Sequence, residues 1–157
     1  REWTVVEGEY YSFACNPPIA LDTGYRADKV TGGVSRVVGD ECNMWAPSGQ
    51  MPQHLTFRFD SPQEVNTAYL TFDTDMNAFK HANADMSHCV EDYELLYRDS
   101  GRWRRLARVT GNVQRHRVHR FEPVRTSAIR LKMTATRGGA APHVFEVRLY
   151  NEQPPGS

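Results

Sequence analysis

The chain has 157 residues, 39% of them hydrophobic, with 19 Lys+Arg balanced by 19 Asp+Glu. That length suits one domain with its own core and is short for two. A formal net charge of zero gives no sign of a polyanionic partner such as nucleic acid, and no apolar run approaches the roughly 20 residues with which a helix crosses a bilayer.

Trp3 to Val6 predicts a short opening strand, Tyr10, Tyr11 and Phe13 form a second apolar patch, and Asn16-Pro17-Pro18 stops regular structure. From Ile19 to Trp45 the chain reads as loop, punctuated by Asp22-Thr23-Gly24, Gly32-Gly33 and Gly39-Asp40. Loops of this length within a compact domain are usually functional. Regular alternation begins after Pro52. Leu55, Phe57 and Phe59 share one side of a strand that Ser61-Pro62 is expected to end, and Ala68, Leu70 and Phe72 share one side of the next, Val65 to Phe72. A polar loop from Asp73 to His88 follows.

The clearest element is a hairpin. Tyr93, Leu95 and Tyr97 alternate with Glu94, Leu96 and Arg98, Asp99-Ser100-Gly101 supplies residues that tolerate positive φ, and Trp103, Leu106 and Val109 resume the apolar pattern. Thr110-Gly111-Asn112 marks a turn. Arg115 to Phe121 reads as a strand closed by Glu122-Pro123, with His119 and Phe121 on one face, and Ile129, Leu131 and Met133 then alternate with Arg130, Lys132 and Thr134. After the Gly- and Ala-rich loop Thr136 to Pro142, Phe145, Val147 and Leu149 alternate with Val144, Glu146, Arg148 and Tyr150. About eight short strands with polar loops and no amphipathic helix predict an all-β antiparallel sandwich, by default a jelly roll or Greek key. One domain over 1–157 is expected, its core at about 30–151 and its tail, 152–157, disordered by composition.

Residues 1–100 hold 7 Lys+Arg and 16 Asp+Glu, whereas residues 101–157 hold 12 and 3. Strands from the two halves lying side by side would pair these charges; a basic face for an acidic ligand is the sharper alternative. Cys15, Cys42 and Cys89 are odd in number and match no metal-knuckle spacing, so buried thiols are expected, a Cys15–Cys42 bridge being the alternative in an exported protein.

The order of elements resembles the discoidin, or factor V/VIII type C, family of galactose-binding-like jelly rolls, which also holds many carbohydrate-binding modules. The resembling residues are VTGGVSR (30–36) followed by NMW (43–45), HLTFRFDSPQEVNTAYLTFD (54–73), YELLYRDSGRWRRL (93–106), HRFEPVRTSAIRLKM (119–133) and VFEVRLYN (144–151). The resemblance implies a galactose-binding domain-like jelly roll that recognises glycans without catalysis, of the kind appended to larger bacterial enzymes. A glycan or polysaccharide is then the implied partner, a catalytic domain in the same parent chain a further one, and a secreted, periplasmic or cell-surface location follows from that function. It also implies one structural calcium. The family often has Asp-Gly where this chain has Thr31-Gly32, and a hydroxyl is a poorer ligand for a hard cation than a carboxylate, so Asp28, Thr31 and Glu146 with loop carbonyls would have to form the site. The alternative for Glu146 is an ion pair with Arg130 or Arg148.

The resemblance places ligand contacts in three loops, around Tyr25 to Arg36, Asp73 to His88 and Thr136 to His143. A sugar presents flat C–H faces and a ring of hydroxyls, so its site needs an aromatic platform with fixed donors and acceptors. In the middle loop Asp73, Asp75, Asn77, His81 and Asn83 could bond hydroxyls while Phe79 stacks; otherwise the two aspartates cap a turn and Phe79 plugs the sheet end. Tyr25 and Arg26 combine stacking with bidentate recognition, or anchor their loop, and Arg36 and Arg137 complete the candidate set. Trp45 and Trp103 are expected to pack. His116 and His119, three apart on a strand, point to opposite faces and cannot share a metal. No Gly-x-Ser-x-Gly, His-Glu-x-x-His, phosphate-loop or dinucleotide motif is present, which argues against an enzyme. The rival readings are a structural or protein-interaction domain packed on a catalytic partner, and a binder of anionic polysaccharide or lipid.

Overall fold

The computed structural model of the chain describes residues 3–7 (backbone only), 45–47, 50–74, 86–139 and 141–153. Six antiparallel strands run through them, with no helix among the described residues: β1 (Trp3–Glu7), β2 (Gln53–Phe72), β3 (Val90–Asp99), β4 (Arg102–Val109), β5 (His116–Thr136) and β6 (Val144–Tyr150). The long strands β2 and β5 organise the fold. Their N- and C-terminal parts respectively pair as Gln53↔Met133 through Arg58↔Ala128, and their other parts as Val65↔Val124 and Thr67↔Arg120 through Thr71↔His116. The first ladder continues outward to β1 on one side and β3–β4 on the other, and the second is flanked by β6.

These are the two layers of the sandwich. Phe72 on the smaller layer meets Tyr93 on the larger at a ring-centroid distance of 5.2 Å, and Tyr93 Oη is hydrogen-bonded to His119 Nε2 at 2.8 Å. Leu55, Phe57, Leu70, Phe72, Leu95, Ile129, Leu131, Met133 and Val147 are fully buried between them, each contributing roughly 1.5 to 3 kcal/mol by leaving water. Burial raises the Tyr93 hydroxyl to about 12 and lowers His119, helped there by Arg117.

Two expected strand ends are corners instead. Residues 59–62 of β2 and 121–123 of β5 have no partner in the β2–β5 ladder, so Pro62 and Pro123 sit where no N–H is demanded, and the extended chain passes from one layer to the other. Counted as paired segments, the six strands match the eight expected. The hairpin is as read: Ser100 and Gly101 both have positive φ, 49° and 83°, the combination a tight two-residue hairpin turn requires. In β6 the register slips between Thr71↔Glu146 and Phe72↔Val144. The extra residue turns Val144 into the core with Val147 and Leu149, against its expected outward phase, and seats Phe145 beneath the Arg115 guanidinium at 4.7 Å.

The charge halves do meet. Arg104 pairs with Asp99 at 2.8 Å, Arg105 with Glu94 at 3.2 Å and Arg137 with Glu91 at 3.4 Å. Trp45 is 2% exposed and bridges Val144, and the Trp103 ring lies under Arg130 and Arg98, at 4.2 and 5.2 Å; both pack. Cys89 is buried, while Cys15 and Cys42 lie outside the described residues, as do Tyr10, Tyr11 and Phe13. Glu152, expected to begin a disordered tail, is held in place: its N–H donates to Asn66 Oδ1 at 2.8 Å and its carbonyl accepts from Asn66 Nδ2 at 2.7 Å.

Candidate functional site

The sandwich brings chain segments together at one end: 73–74 after β2, 86–89 before β3, and 137–139 with 141–143 before β6. Backbone bonds close them into a rim. Asp73 N–H donates to His143 O at 3.1 Å, His143 N–H to His88 O at 3.1 Å, Gly138 N–H to Ser87 O at 3.1 Å and Arg137 N–H to Cys89 O at 3.0 Å. Trp45 and Val144 exchange bonds of 2.7 and 3.0 Å beneath them.

On this frame the His88 and His143 rings stack, with centroids 3.8 Å apart and planes 4° from parallel. Each ring is fixed by a partner that can only accept. His88 Nδ1 donates to Ala141 O at 2.9 Å, and His143 Nδ1 donates to the carboxylate Oδ2 of Asp73 at 3.1 Å. A proton is thereby placed on each Nδ1, and Nε2 of a ring that carries no second proton is an acceptor. Asp73 is only 7% exposed, so its charge depends on such donors for compensation. The result is a patch with a flat face, ring-nitrogen acceptors and a carboxylate.

The F5/8 type C domain family model matches residues 22–147, four fifths of the chain. The chain belongs to the F5/8 type C domain family. Among solved structures, the family 32 carbohydrate-binding module from Streptococcus pneumoniae EndoD has a TM-score of 0.70 at 18% identity over 96% of each chain. Chitosan-binding module 1 derived from a chitosanase/glucanase of Paenibacillus sp. IK-5 has a TM-score of 0.67 at 17% identity, covering 96% of this chain and 95% of that one. The family 32 module of C. perfringens NanJ, solved in complex with galactose, has a TM-score of 0.66 at 15% identity, with coverages of 96% and 93%. At these identities they share the fold, a galactose-binding-like jelly roll, as expected. No curated protein matches the chain.

Within this F5/8 type C domain, the sequence-predicted site residues divide sharply. Asp73 stands in the rim, tied to His143. Arg137 stands beside it, but its guanidinium pairs with Glu91 and its side chain is 34% exposed. Tyr25, Arg26, Arg36, Asp75, Asn77, Phe79, His81 and Asn83 lie outside the described residues, and so do Asp28 and Thr31. Glu146 is on the outer face of the small layer, where its carboxylate accepts from Arg148 Nε. That ion pair is the alternative expected for it; among the described residues, which exclude Asp28 and Thr31, no group of three His, Cys, Asp or Glu is placed to hold a metal. His116 and His119 do take opposite faces: His116 stacks at 6.1 Å on Tyr69 outside, and His119 meets Tyr93 inside. Sequence reasoning missed His88 and His143 as site residues. The available signal was their position, each directly before a buried pair that begins or leads into a strand, Cys89-Val90 and Val144-Phe145.

Proposed function

We propose that this F5/8 type C domain is a non-catalytic glycan-binding module whose principal site is the loop-bearing rim around Asp73, His88 and His143. The observation that carries the reading is the stacked, hydrogen-bond-locked histidine pair on a buried carboxylate: a preorganised flat surface with fixed acceptors, suited to a ring of hydroxyls. Fold relatives named as carbohydrate-binding modules support it, and those derived from named enzymes support a catalytic partner in the same parent chain. The site of action is then outside the cytoplasm, on glycans reached by export. Affinity per site is weak and gains from multivalency.

The test is a glycan array with the folded domain, followed by calorimetry on the best hit with His143→Ala and Asp73→Ala. Each variant is expected to weaken binding by about tenfold, the loss of one or two hydrogen bonds and a stacking face. Absence of signal on every neutral and acidic glycan, with folding confirmed, defeats the proposal. A structural calcium held by Asp28, Thr31 and Glu146 with loop carbonyls belongs to the same reading. Adding calcium to chelator-treated protein should raise Tm; an unchanged Tm removes the ion from it.

The rival basic face is less favoured, because Arg104 and Arg105 of β4 are already engaged with Asp99 and Glu94.

A further inference from the structure

The outer face of the small layer carries a groove of about 420 Å³, within the size range of small-molecule sites. Strand register builds it. Thr71 lies opposite both Glu146 and His116, Tyr69 opposite Arg148, and Thr67 opposite Tyr150, so alternation turns Tyr69, His116, Glu146, Arg148 and Tyr150 away from the core. Tyr69 is central: Tyr150 meets it edge-on at 5.6 Å and His116 stacks on it at 6.1 Å. Its hydroxyl donates to Glu152 Oε1 at 2.5 Å, an interaction that raises the Tyr69 pKa. Glu152 forms a fixed wall because its backbone is bound on both sides by Asn66.

On the floor, Glu146 is 9% exposed, an ionisable group that a sheet face ordinarily leaves in water. Its partner Arg148 is half open to solvent, with its pKa raised chiefly by Glu146. Two carboxylates, Glu146 and Glu152, face two guanidiniums, Arg148 and Arg120, the last 4.0 Å from Glu152. This local balance disfavours an anion. An apolar chain would strip water from all four charges without replacing its bonds. A polyhydroxylated ring can donate to the carboxylates, accept from Arg148 and lay its C–H face on Tyr150, which at 37% exposed is one of two exposed large hydrophobic side chains among the described residues.

We infer that this groove is a second carbohydrate subsite, taking one neutral hexopyranosyl unit on the sheet face rather than at the loop rim. The module would then hold a glycan at two separate places, and this subsite does not depend on the rim binding sugar.

The test is amide chemical-shift mapping of the whole ¹⁵N-labelled chain, titrated separately with galactose, glucose and a chitin trisaccharide. With at least one probe, saturable shifts are expected at Tyr69–Thr71, His116 and Glu146–Tyr150. Tyr150→Ala should weaken those shifts by about tenfold, equivalent to about 1.4 kcal/mol, and leave any rim shifts in place, whereas Asp73→Ala should do the reverse. Arg148→Met, at an exposed position, provides a second variant should Tyr150→Ala disturb the fold. Shifts confined to 73–74, 86–89 and 137–143 overturn the subsite and leave the rim proposal standing. Face shifts unaffected by both variants overturn it too, and a silent face with all three probes does the same. Shifts on the face alone sustain the subsite while counting against the rim.

Discussion

Gly138 offers the sharpest test of how the rim is held. A Cβ added there would lie 2.5 Å from Ser87 Cα and closer still to Ser87 Cβ, where unbonded carbons pack at about 3.5 to 4.0 Å. The obstacle is backbone, so it cannot rotate aside, and one segment must retreat by about 1 Å. That movement also stretches the bond from Gly138 N–H to Ser87 O. Overpacking and a weakened hydrogen bond together set the cost of Gly138→Ala at about 2 to 3 kcal/mol, a fall in Tm of about 5 to 10 °C for a domain of this size. The neighbouring Gly139 separates sterics from conformation. It has φ +71° and nothing within 4 Å of an added Cβ, so Gly139→Ala should cost only the left-handed strain of about 1 to 2 kcal/mol. Differential scanning calorimetry measures both, and amide shifts at Ser87 and His88 should move in the first variant far more than in the second. A Gly138→Ala protein melting within about 1 °C of the parent, with those amides unmoved, would show that the 86–88 and 137–139 segments are not clamped together.

The interior pair gives a second prediction. Tyr93→Phe removes the hydroxyl bonded to His119 and should cost about 1 to 2 kcal/mol in urea unfolding; an unchanged midpoint refutes the bond. His119 adds a pH dependence whose sign is fixed by its lowered pKa, with Tyr93 bonded to it and Arg117 nearby. Between the folded and unfolded pKa values the unfolded chain binds more protons, so stability is full above about 6.5 and declines as pH falls below it, until the folded value is passed. His119→Gln should flatten that decline, and a variant that keeps the parent slope would assign it to other groups.

How much was legible depended on whether the physics was local. The hairpin could be read because Ser100-Gly101 must accept positive φ wherever it sits, and Ile129, Leu131 and Met133 could be placed inside because period two is a property of the strand itself. Pro62 and Pro123 misled in a specific way. A proline forbids a ladder bond but not an extended backbone, so each reads as a stop when the chain in fact turns a corner between layers. The rim was harder still. Nothing in sequence puts His88 on His143, 55 positions away; only the pairing of Asp73 and His88 backbone with His143 does so. The expectation that the ligand loops carry the chemistry named Asp73 but neither His143, whose ring it holds, nor His88, which stacks on that ring.

Strand β6 shows why one residue of excess matters for both candidate surfaces. With unbroken alternation Val144 would share the phase of Glu146, Arg148 and Tyr150 and face outward, leaving Trp45 without its covered neighbour. The slip at Phe145 resets the phase once: Val144 turns inward beside Trp45 to floor the rim, and the three residues that line the groove keep the outer face. Phe145 itself is 1% exposed under Arg115, so the irregularity is filled rather than left as a void, which is what a bulge needs in order to persist. The strand that ends the rim at His143 is therefore the strand that walls the groove through Tyr150, and the two surfaces are set at a fixed separation by a stretch of buried chain instead of by a loop. A glycan long enough to span that stretch would meet two sites whose spacing does not have to be organised on binding, and a rigid spacing is what lets two weak contacts add.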